Sequence, residues 1–375
     1  MNLALDGLRM ESRPMIRYAL RTSSAQSEPE WDDFLARTPG GHHVQTSLWA
    51  QVKGAQGWRA LRIIASRSGQ IVGGVQVLLR PFKGLGMVGY APKGPMVASD
   101  DPALASQIIQ ALRRMAKEQG ILYLLVQPPV KGDVVEACLP QEGFHQTGIE
   151  IAPTATTRVD LRPDLDSILA RMRKKTRYGI RRSTAAGITV RLGSREDLPA
   201  FHRLLSATAQ RQGFTPFPLS YFIHMWDILH PRGQLQLFLA EYQGEPVSAH
   251  VAVTFGDTVV SKQGGWSGEH GKHRPNEALE WGTIQWAKAA GYRYFDMEGI
   301  DPAAARAILE GRPLPPALRQ TPTSYKLGYG GEVVEFPPAY GYISNSVLRW
   351  IYAAAFSGIA RSPLMQQALD RLRVR

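Results

Sequence analysis

Apolar positions from Leu61 to Arg80, LRIIASRSGQIVGGVQVLLR, form two runs separated by a polar break, the pattern of strand, turn and strand. The same form returns from Leu235 to Phe255, LQLFLAEYQGEPVSAHVAVTF, where Gly244-Glu245-Pro246-Val247 answers Gly69-Gln70-Ile71-Val72. Downstream of the first hairpin, Ala103 to Gly120 carries apolar residues at helical spacing and a terminal glycine, and the strand ILYLLVQPP follows. Its counterpart is Asn276 to Gly291, followed by the strand YRYFDMEGI. Two landmarks in one order predict a tandem duplication, each copy an α/β unit (α+β) with a mixed, largely antiparallel sheet flanked by helices.

Hairpin, helix and strand in this order predict a GNAT-like acyltransferase core and not the regular βαβ alternation of a doubly wound fold. The polar, β-prone stretch EIAPTATTRVDL (Glu150 to Leu161) sets a boundary near residue 155. The expected division is residues 1–154 as the first domain and 155–334 as the second. Beyond VVEFPPAYGY (Val333 to Tyr342), an amphipathic, arginine-bearing tail is expected to pack back, so that residues 335–375 complete the first domain.

At 375 residues and 44% hydrophobic, the chain can fill two cores, and its glycines and prolines are scattered as turn punctuation. Its one cysteine, Cys138, excludes an internal disulfide framework and suits a reducing cytosol. The first twenty residues lack the order of a secretory leader, and the apolar run from Val347 to Ile359 is broken by Arg349 and too short to span a bilayer. The expected location is the cytoplasm, with room for peripheral contact at the inner membrane face. A net charge of +12 suits a polyanionic partner such as tRNA, a nucleotide diphosphate or an anionic membrane, although a solubility role explains it equally.

Charge is densest in Ser167 to Arg191. Ile168, Leu169, Met172 and Ile180 suit one face of a helix, while Arg171, Arg173, Lys174, Lys175, Arg177, Arg181 and Arg182 crowd the rest. So many cations with few acidic partners repel one another, which favours phosphate binding over a merely solvated face. Gln45, Trp49 and Lys53 recur at four-residue spacing, placing an amine on an amphipathic helix; a surface lysine beside a core tryptophan is the alternative. Arg211 falls in the last turn of a helix ending at Gly213, where it suits either the helix dipole or a bidentate fork on a diphosphate. Lys326 precedes Gly328 and Gly330-Gly331, glycines that admit close approach of a ligand or simply make a hairpin turn. His42-His43 are expected to point apart on a strand, with no third ligand nearby, so no metal is expected.

Absent motifs narrow the chemistry. No G-x-x-x-x-G-K-[ST] loop and no G-x-S-x-G elbow occurs, which argues against ATP-driven ligation and serine nucleophiles. The one approach to a coenzyme A pyrophosphate loop, RPFKGLG (Arg80 to Gly86), has the wrong spacing.

The segments VQTSLWAQVKGAQGW, GYAPKGPMV, KKTRYGIRRS, RPNEALEWGTIQWAKAAGYRYFDMEGI and YKLGYGGEVVEF, together with W-x-x-F-L at Trp31, resemble the Fem peptidyltransferases over roughly residues 30 to 345. These enzymes use aminoacyl-tRNA to build the interpeptide bridge of peptidoglycan. The resemblance implies two GNAT-like domains with a muramyl-pentapeptide precursor, nucleotide-linked or lipid-linked, in the cleft between them. It implies that Lys53 and Arg211 hold the precursor's diphosphate, that Lys326 stabilises charge on the attacked ester, and that Tyr325 packs on the terminal ribose. The basic run Arg173 to Arg182 would hold the tRNA. Two departures stand out: Gln127 occupies a position often acidic in relatives, and Gln263 and Trp266 stand where tyrosines often line the precursor site.

An aminoacyl ester is already activated, so positioning and oxyanion stabilisation suffice and no cofactor is needed. The alternatives are a tRNA-dependent transferase acting on a protein N-terminus or a lipid, and a tRNA- or membrane-binding adaptor without catalysis.

Overall fold

The computed structural model describes residues 18–82, 86–149 and 151–344, so the apolar run from Val347 and the tail after it lie outside the described residues. The first sheet takes β1 (Ala19–Ser23), β2 (Arg59–Arg67), β3 (Gln70–Phe82), β4 (Gly86–Ala91), β5 (Met96–Val97), β6 (Ile121–Val126) and β7 (His145–Gln146). The second takes β8 (Ala155–Asp160), β9 (Thr189–Leu192), β10 (Leu235–Tyr242), β11 (Glu245–Phe255), β12 (Thr258–Trp266), β13 (Tyr294–Asp296) and β14 (Glu332–Glu335). A last strand, β15 (Tyr340–Ile343), returns to the first sheet.

The two hairpins named from the sequence, β2–β3 and β10–β11, turn alike. Ser68-Gly69 (φ 51° and 79°) and Gln243-Gly244 (φ 53° and 83°) are both left-handed pairs, the geometry of a two-residue type I′ turn. Each hairpin slips register just before its turn, at Ala65/Ser66 and at Ala240/Glu241.

Strand order makes the repeat complete. The first sheet runs β1-β2-β3-β4-β6-β15-β7, with β5 on β3, and the second, read from its other end, runs β9-β10-β11-β12-β13-β8-β14. In both, the fourth and fifth strands are the parallel pair (β4·β6 and β12·β13) and the flanking pairs are antiparallel. The sixth place is filled by exchange. Strand β7 stays in the first sheet while the next strand, β8, crosses to the second, and β14 stays in the second while β15 crosses to the first.

The helices are α1 (Pro29–Arg37), α2 (Ser47–Gly54), α3 (Pro102–Glu118), α4 (Asp133–Gln141), α5 (Leu165–Arg171), α6 (Lys174–Ala185), α7 (Leu198–Gln212), α8 (Leu219–Leu229), α9 (Pro275–Ala289), α10 (Pro302–Leu309) and α11 (Pro322–Leu327). Helix α3 starts where Asp101 accepts hydrogen bonds from the Ala103 and Leu104 amides at 2.9 and 3.1 Å, with Pro102 pre-set for the first turn. Its buried face, Leu104, Ile108, Ile109 and Leu112, closes the core of the first sheet against Ile63, Val75 and Val77. In the second sheet α6 and α9 cover one face (Ile180, Ile284, Phe295) and α7 and α8 the other (Phe201, Phe222, Leu237, Val251). Helix α2 precedes all of these in the chain, yet its Leu48, Trp49 and Val52 are buried in this last cluster, so it ties the halves together.

Among the described residues no helix is long and apolar enough to cross a membrane.

Tyr342 on β15 is buried and its ring lies 4.9 Å from that of Phe144. Tyr342→Ala is expected to lower the unfolding free energy by about 3 kcal/mol, the scale for truncating a buried aromatic. Because β15 and β8 cross between the sheets, a thermal scan should still show one transition; two separated transitions would mean that the exchange does not couple the halves.

Candidate functional site

The basic stretch is two helices, not one. Met172 and Arg173 are extended (ψ 151° and 148°), which breaks the expected helix between α5 and α6. The reason lies in the glycine segment after α11: the Arg173 amide donates to the Gly328 carbonyl at 2.8 Å, and a Cβ on Gly330 (φ 72°) would meet the Arg171 carbonyl at 2.4 Å. Lys326 therefore sits on the short helix α11, and neither a hairpin nor a glycine-flexed loop carries it.

Arg173, Lys174, Lys175, Arg181 and Arg182 are exposed along α6 and Arg177 is half-buried. Among the described residues none of these six makes an ion pair. Three of the arginines bond to carbonyls and a hydroxyl: Arg173 to Ser324 at 3.2 Å, Arg177 to Ala170 at 3.2 Å and Arg182 to Lys272 at 2.6 Å. The first of these pins the start of α6 against α11.

Gln45 is not on the helix that carries Lys53. It lies in a tight turn before α2, buried, bonded to the Gln76 amide (2.7 Å), the Gln76 carbonyl (3.1 Å) and the Pro92 carbonyl (2.7 Å). Helix α2 begins after Thr46, whose hydroxyl accepts from the Trp49 amide at 3.1 Å. Lys53 is not a surface residue. Only 1% exposed, its ammonium lies 5.1, 5.6 and 5.5 Å from the ring centres of Trp49, Phe217 and Tyr221 and donates to Gln56 at 3.1 Å.

Lys53 lines a cavity of about 50 Å³ at the seam between the sheets, with Trp49, Tyr90, Lys93, Lys262 and Glu298 on the same wall. A larger groove of about 670 Å³ shares His42, Lys93, Asp296 and Phe336 with it. Lys262 lies 5.3 Å from the Trp49 ring centre, on one indole with Lys53, and pairs with the Glu298 carboxylate. Lys93, 4% exposed, donates to the Pro153 carbonyl at 3.1 Å and sits 3.0 Å over the Phe336 ring. The Tyr90 hydroxyl is buried on this wall and among the described residues has no hydrogen-bond partner.

Electrostatics follow from this burial. Desolvation drives the Lys53 and Lys93 ammoniums well below the ordinary lysine pKa, and Glu298 opposes that in both. Burial likewise lowers Lys326 and raises the Tyr90 and Tyr325 phenols. The Lys326 ammonium is held by the Glu298 and Gly299 carbonyls, the latter at 2.9 Å.

The other expected residues are placed as follows. Tyr325 shares α11 with Lys326, its hydroxyl 2.8 Å from that of Tyr329. Arg211 is not on the cavity wall; it is pre-oriented by the Trp266 and Ser267 carbonyls (2.5 and 2.9 Å) and stacks 5.0 Å from the Trp266 ring centre. Gln263 lies on β12 next to Lys262, and its side-chain oxygen is buried without a partner. Gln127 has the same orphaned oxygen, and its amide reaches the Pro153 carbonyl at 3.5 Å. His42 and His43 do not point apart: their rings lie 4.4 Å from each other and burial pushes both pKa values well down. Among the described residues no group of three or more His, Cys, Asp or Glu is arranged to hold a metal.

Lys93, Lys262 and Glu298 are the site residues that sequence reasoning missed. Lys93 stood in the quoted segment GYAPKGPMV, Lys262 beside the Gln263 already named, and Glu298 two residues after Asp296 in the quoted run ending DMEGI.

Two sheets of one topology, joined by exchanged strands over a shared cavity lined by charged and aromatic side chains, define a tandem protein of the GNAT acyltransferase fold. The FemAB family matches residues 26–137 and the acetyltransferase (GNAT) domain residues 170–304. Lipid II:glycine glycyltransferase of Staphylococcus haemolyticus is 28% identical over 229 residues, 58% of this chain and 55% of that one. The Staphylococcus aureus (strain MRSA252) protein of the same name is 28% identical over 223 residues, 56% and 53% of the two chains. The chain thus spans about half the length of the curated relatives it matches. The crystal structure of FemX superposes with a TM-score of 0.77 at 20% identity, covering 88% of this chain and 99% of that one. A tandem GNAT protein from the clavulanic acid biosynthesis pathway gives 0.52 at 12%, with 88% and 99% covered. The chain is thus similar to the Fem family within its first half and to lipid II:glycine glycyltransferases over somewhat more than half of its length.

A lysine whose folded-state pKa lies below its unfolded value of 10.5 weakens the fold at lower pH, and that penalty is lifted as pH rises from the depressed value towards 10.5. Thermal stability is therefore expected to climb as pH rises towards 10.5. Lys53→Met should raise Tm at pH 7, by about 2 °C or more, and flatten the climb. A lower Tm with an unchanged slope would mean that the ammonium is matched in the fold.

Proposed function

We propose that this protein moves an amino acid from an aminoacyl-tRNA onto the side-chain amine of a peptidoglycan precursor pentapeptide. One observation carries the reading: the ammonium of Lys326 donates to the carbonyls of Glu298 and Gly299, two residues that line the seam cavity, from a helix pinned to the unpaired cationic helix α6. A polyanion held along α6 would bring its end towards Lys326, and a second substrate in the seam would meet it there.

The reaction asks little of the protein beyond this placement. The donor ester is activated, and the acceptor amine has to be held within attack distance while the carbonyl oxygen gains charge. Lys326 offers the cation for that charge, and Tyr325 beside it offers a ring for the terminal ribose. Lys53 and the pre-oriented fork of Arg211 are assigned to the precursor's diphosphate, with Gln127, Gln263 and Trp266 on the precursor side. The relatives' name, lipid II:glycine glycyltransferase, favours a lipid-linked acceptor over a nucleotide-linked one, and hence work at the inner membrane face. We assign residues 1–154 with 335–375 to one functional unit and 155–334 to the other.

Turnover of charged tRNA with a muramyl-pentapeptide acceptor tests the whole reading. Lys326→Met is expected to lower the single-turnover rate by about 10²-fold or more, the scale for losing one preorganised oxyanion donor, with precursor affinity nearly unchanged. Full recovery of the rate at saturating tRNA would make Lys326 a binding residue only.

For α6, the double substitution Lys175→Glu with Arg181→Glu is expected to weaken tRNA binding and to reduce the slope of log affinity against log salt by about one for each phosphate no longer held. An unchanged slope would remove α6 from the tRNA path.

A further inference from the structure

Acyl transfer to an amine leaves a proton to move, and the Gln127 amide cannot accept it. The cavity wall carries two carboxylates, Asp296 and Glu298. Asp296 is committed to its neighbours: it accepts from the Thr156 hydroxyl at 2.5 Å, from Arg158 at 3.0 Å and from the Glu298 amide at 2.9 Å. Glu298 is bound differently. Among the described residues its carboxylate has one side-chain partner, the ammonium of Lys262 on its flexible stem.

The backbone points the same way. Glu298 has φ 39°, a left-handed conformation that costs a non-glycine residue about 1 kcal/mol or more, and Gly299 follows at φ 77°. This pair of left-handed residues directs both of its carbonyls at the Lys326 ammonium, while the Glu298 side chain joins the cavity wall. One short turn thus serves the cation assigned to the oxyanion and the carboxylate beside it.

The repeat supplies an independent argument. Glu298 stands seven residues after Gly291, the glycine that ends its crossover helix, and Gln127 stands seven residues after Gly120, the glycine that ends the corresponding helix. The position where the first half has an amide is therefore occupied by a carboxylate in the second half, at the end of the equivalent strand.

We propose that Glu298 is the proton relay of the transfer, an inference that rests on the tRNA-dependent reading above. The neutral amine attacks the ester carbonyl carbon, a C–N bond forms, and the carbonyl π pair moves onto oxygen beside Lys326. The nitrogen is now cationic and far more acidic than a free ammonium, so a carboxylate suffices to take one of its protons. The oxyanion then collapses and the bond from carbon to the ribose oxygen breaks. That oxygen leaves with the electron pair and takes the proton from Glu298, giving the amide, the free tRNA hydroxyl and the carboxylate again.

The charged and titratable groups facing Glu298 are Lys53 on α2, Tyr221 on α8, Lys93 after β4, Lys262 on β12, Asp296 on β13 and Lys326 on α11. With four lysines among them a pH profile does not isolate one carboxylate, so the test is chemical rescue. The full chain is assayed in single turnover with tRNA charged separately with glycine, alanine and serine, and with both lipid-linked and UDP-linked N-acetylmuramyl-pentapeptide as acceptors. Glu298→Gly keeps the left-handed turn, because glycine accepts that φ, and Glu298→Gln keeps the shape without the base. Both are expected to lose about 10²-fold or more in rate, with Tm close to wild type. Added formate should restore about tenfold in Glu298→Gly and nothing in Glu298→Gln, since only the first leaves room for a carboxylate. Rates within about threefold of wild type would overturn the relay, as would a loss in Glu298→Gly that formate leaves untouched. Wild-type protein that transfers from none of the three tRNAs to either acceptor would overturn the tRNA-dependent reading and the relay together; active wild type with unaffected variants would remove the relay alone.

Discussion

Lys53 and Lys93 lose their hydration where the two sheets meet, and among the described residues neither has a carboxylate within ion-pair distance. Aromatic faces and neutral oxygens hold them instead: Trp49, Phe217 and Tyr221 around the first, Phe336 and the Pro153 carbonyl around the second. Neutral partners stabilise a buried ammonium less than a counter-ion does, so both lysines are held at a cost. The energy for holding them has to come from elsewhere in the fold, because a charge stripped of water is tolerated only where its surroundings are fixed by stronger packing.

The exchanged strands and helix α2 supply that packing. Strand β8, the first strand after the boundary, pairs with β13 and β14 and carries Thr156 and Arg158 onto Asp296, so the chain enters the second sheet at the cavity. Helix α2 sinks Leu48, Trp49 and Val52 into the core of the second sheet and so fixes the stem of Lys53. Hinged halves would hydrate these ammoniums each time the seam opened. Halves that share strands keep the seam closed on the scale of the whole fold's stability.

What could be read from the sequence divides along the same line. The hairpins, the two crossover helices and the strands after them were legible because period-2 and period-3.6 patterns and the left-handed glycines are local properties. The exchange was not, since four residues such as YGYI do not encode which sheet they join. Residues 167–191 read as one helix because the break at Met172 and Arg173 is imposed by a glycine segment far along the chain. Gln45 read as part of the Lys53 face because its spacing was right, although its amide is consumed by Gln76 and Pro92. Lys93 and Lys262 are single charges in their segments and Glu298 stands two residues from Asp296; only the meeting of two distant strand ends turns them into a cluster.

Those strand ends explain why the cluster forms where it does. Each sheet has one crossover pair, β4·β6 and β12·β13, and side chains that bind ligands in sheets with crossovers gather outside the carboxyl ends of such strands. Lys93 follows β4, Gln127 follows β6, Lys262 lies just past the stretch of β12 that pairs with β13, and Glu298 follows β13. The duplication turns both carboxyl ends to one seam, so the cavity has twice the polar positions that a single half could offer. Equivalent positions are then free to differ, since each faces the same space and only one of them needs to bear a given group. An amide at Gln127 and a carboxylate at Glu298 are the form that this freedom takes: the charge stands in the half whose turn also holds Lys326, where the two can act on the same reacting atoms.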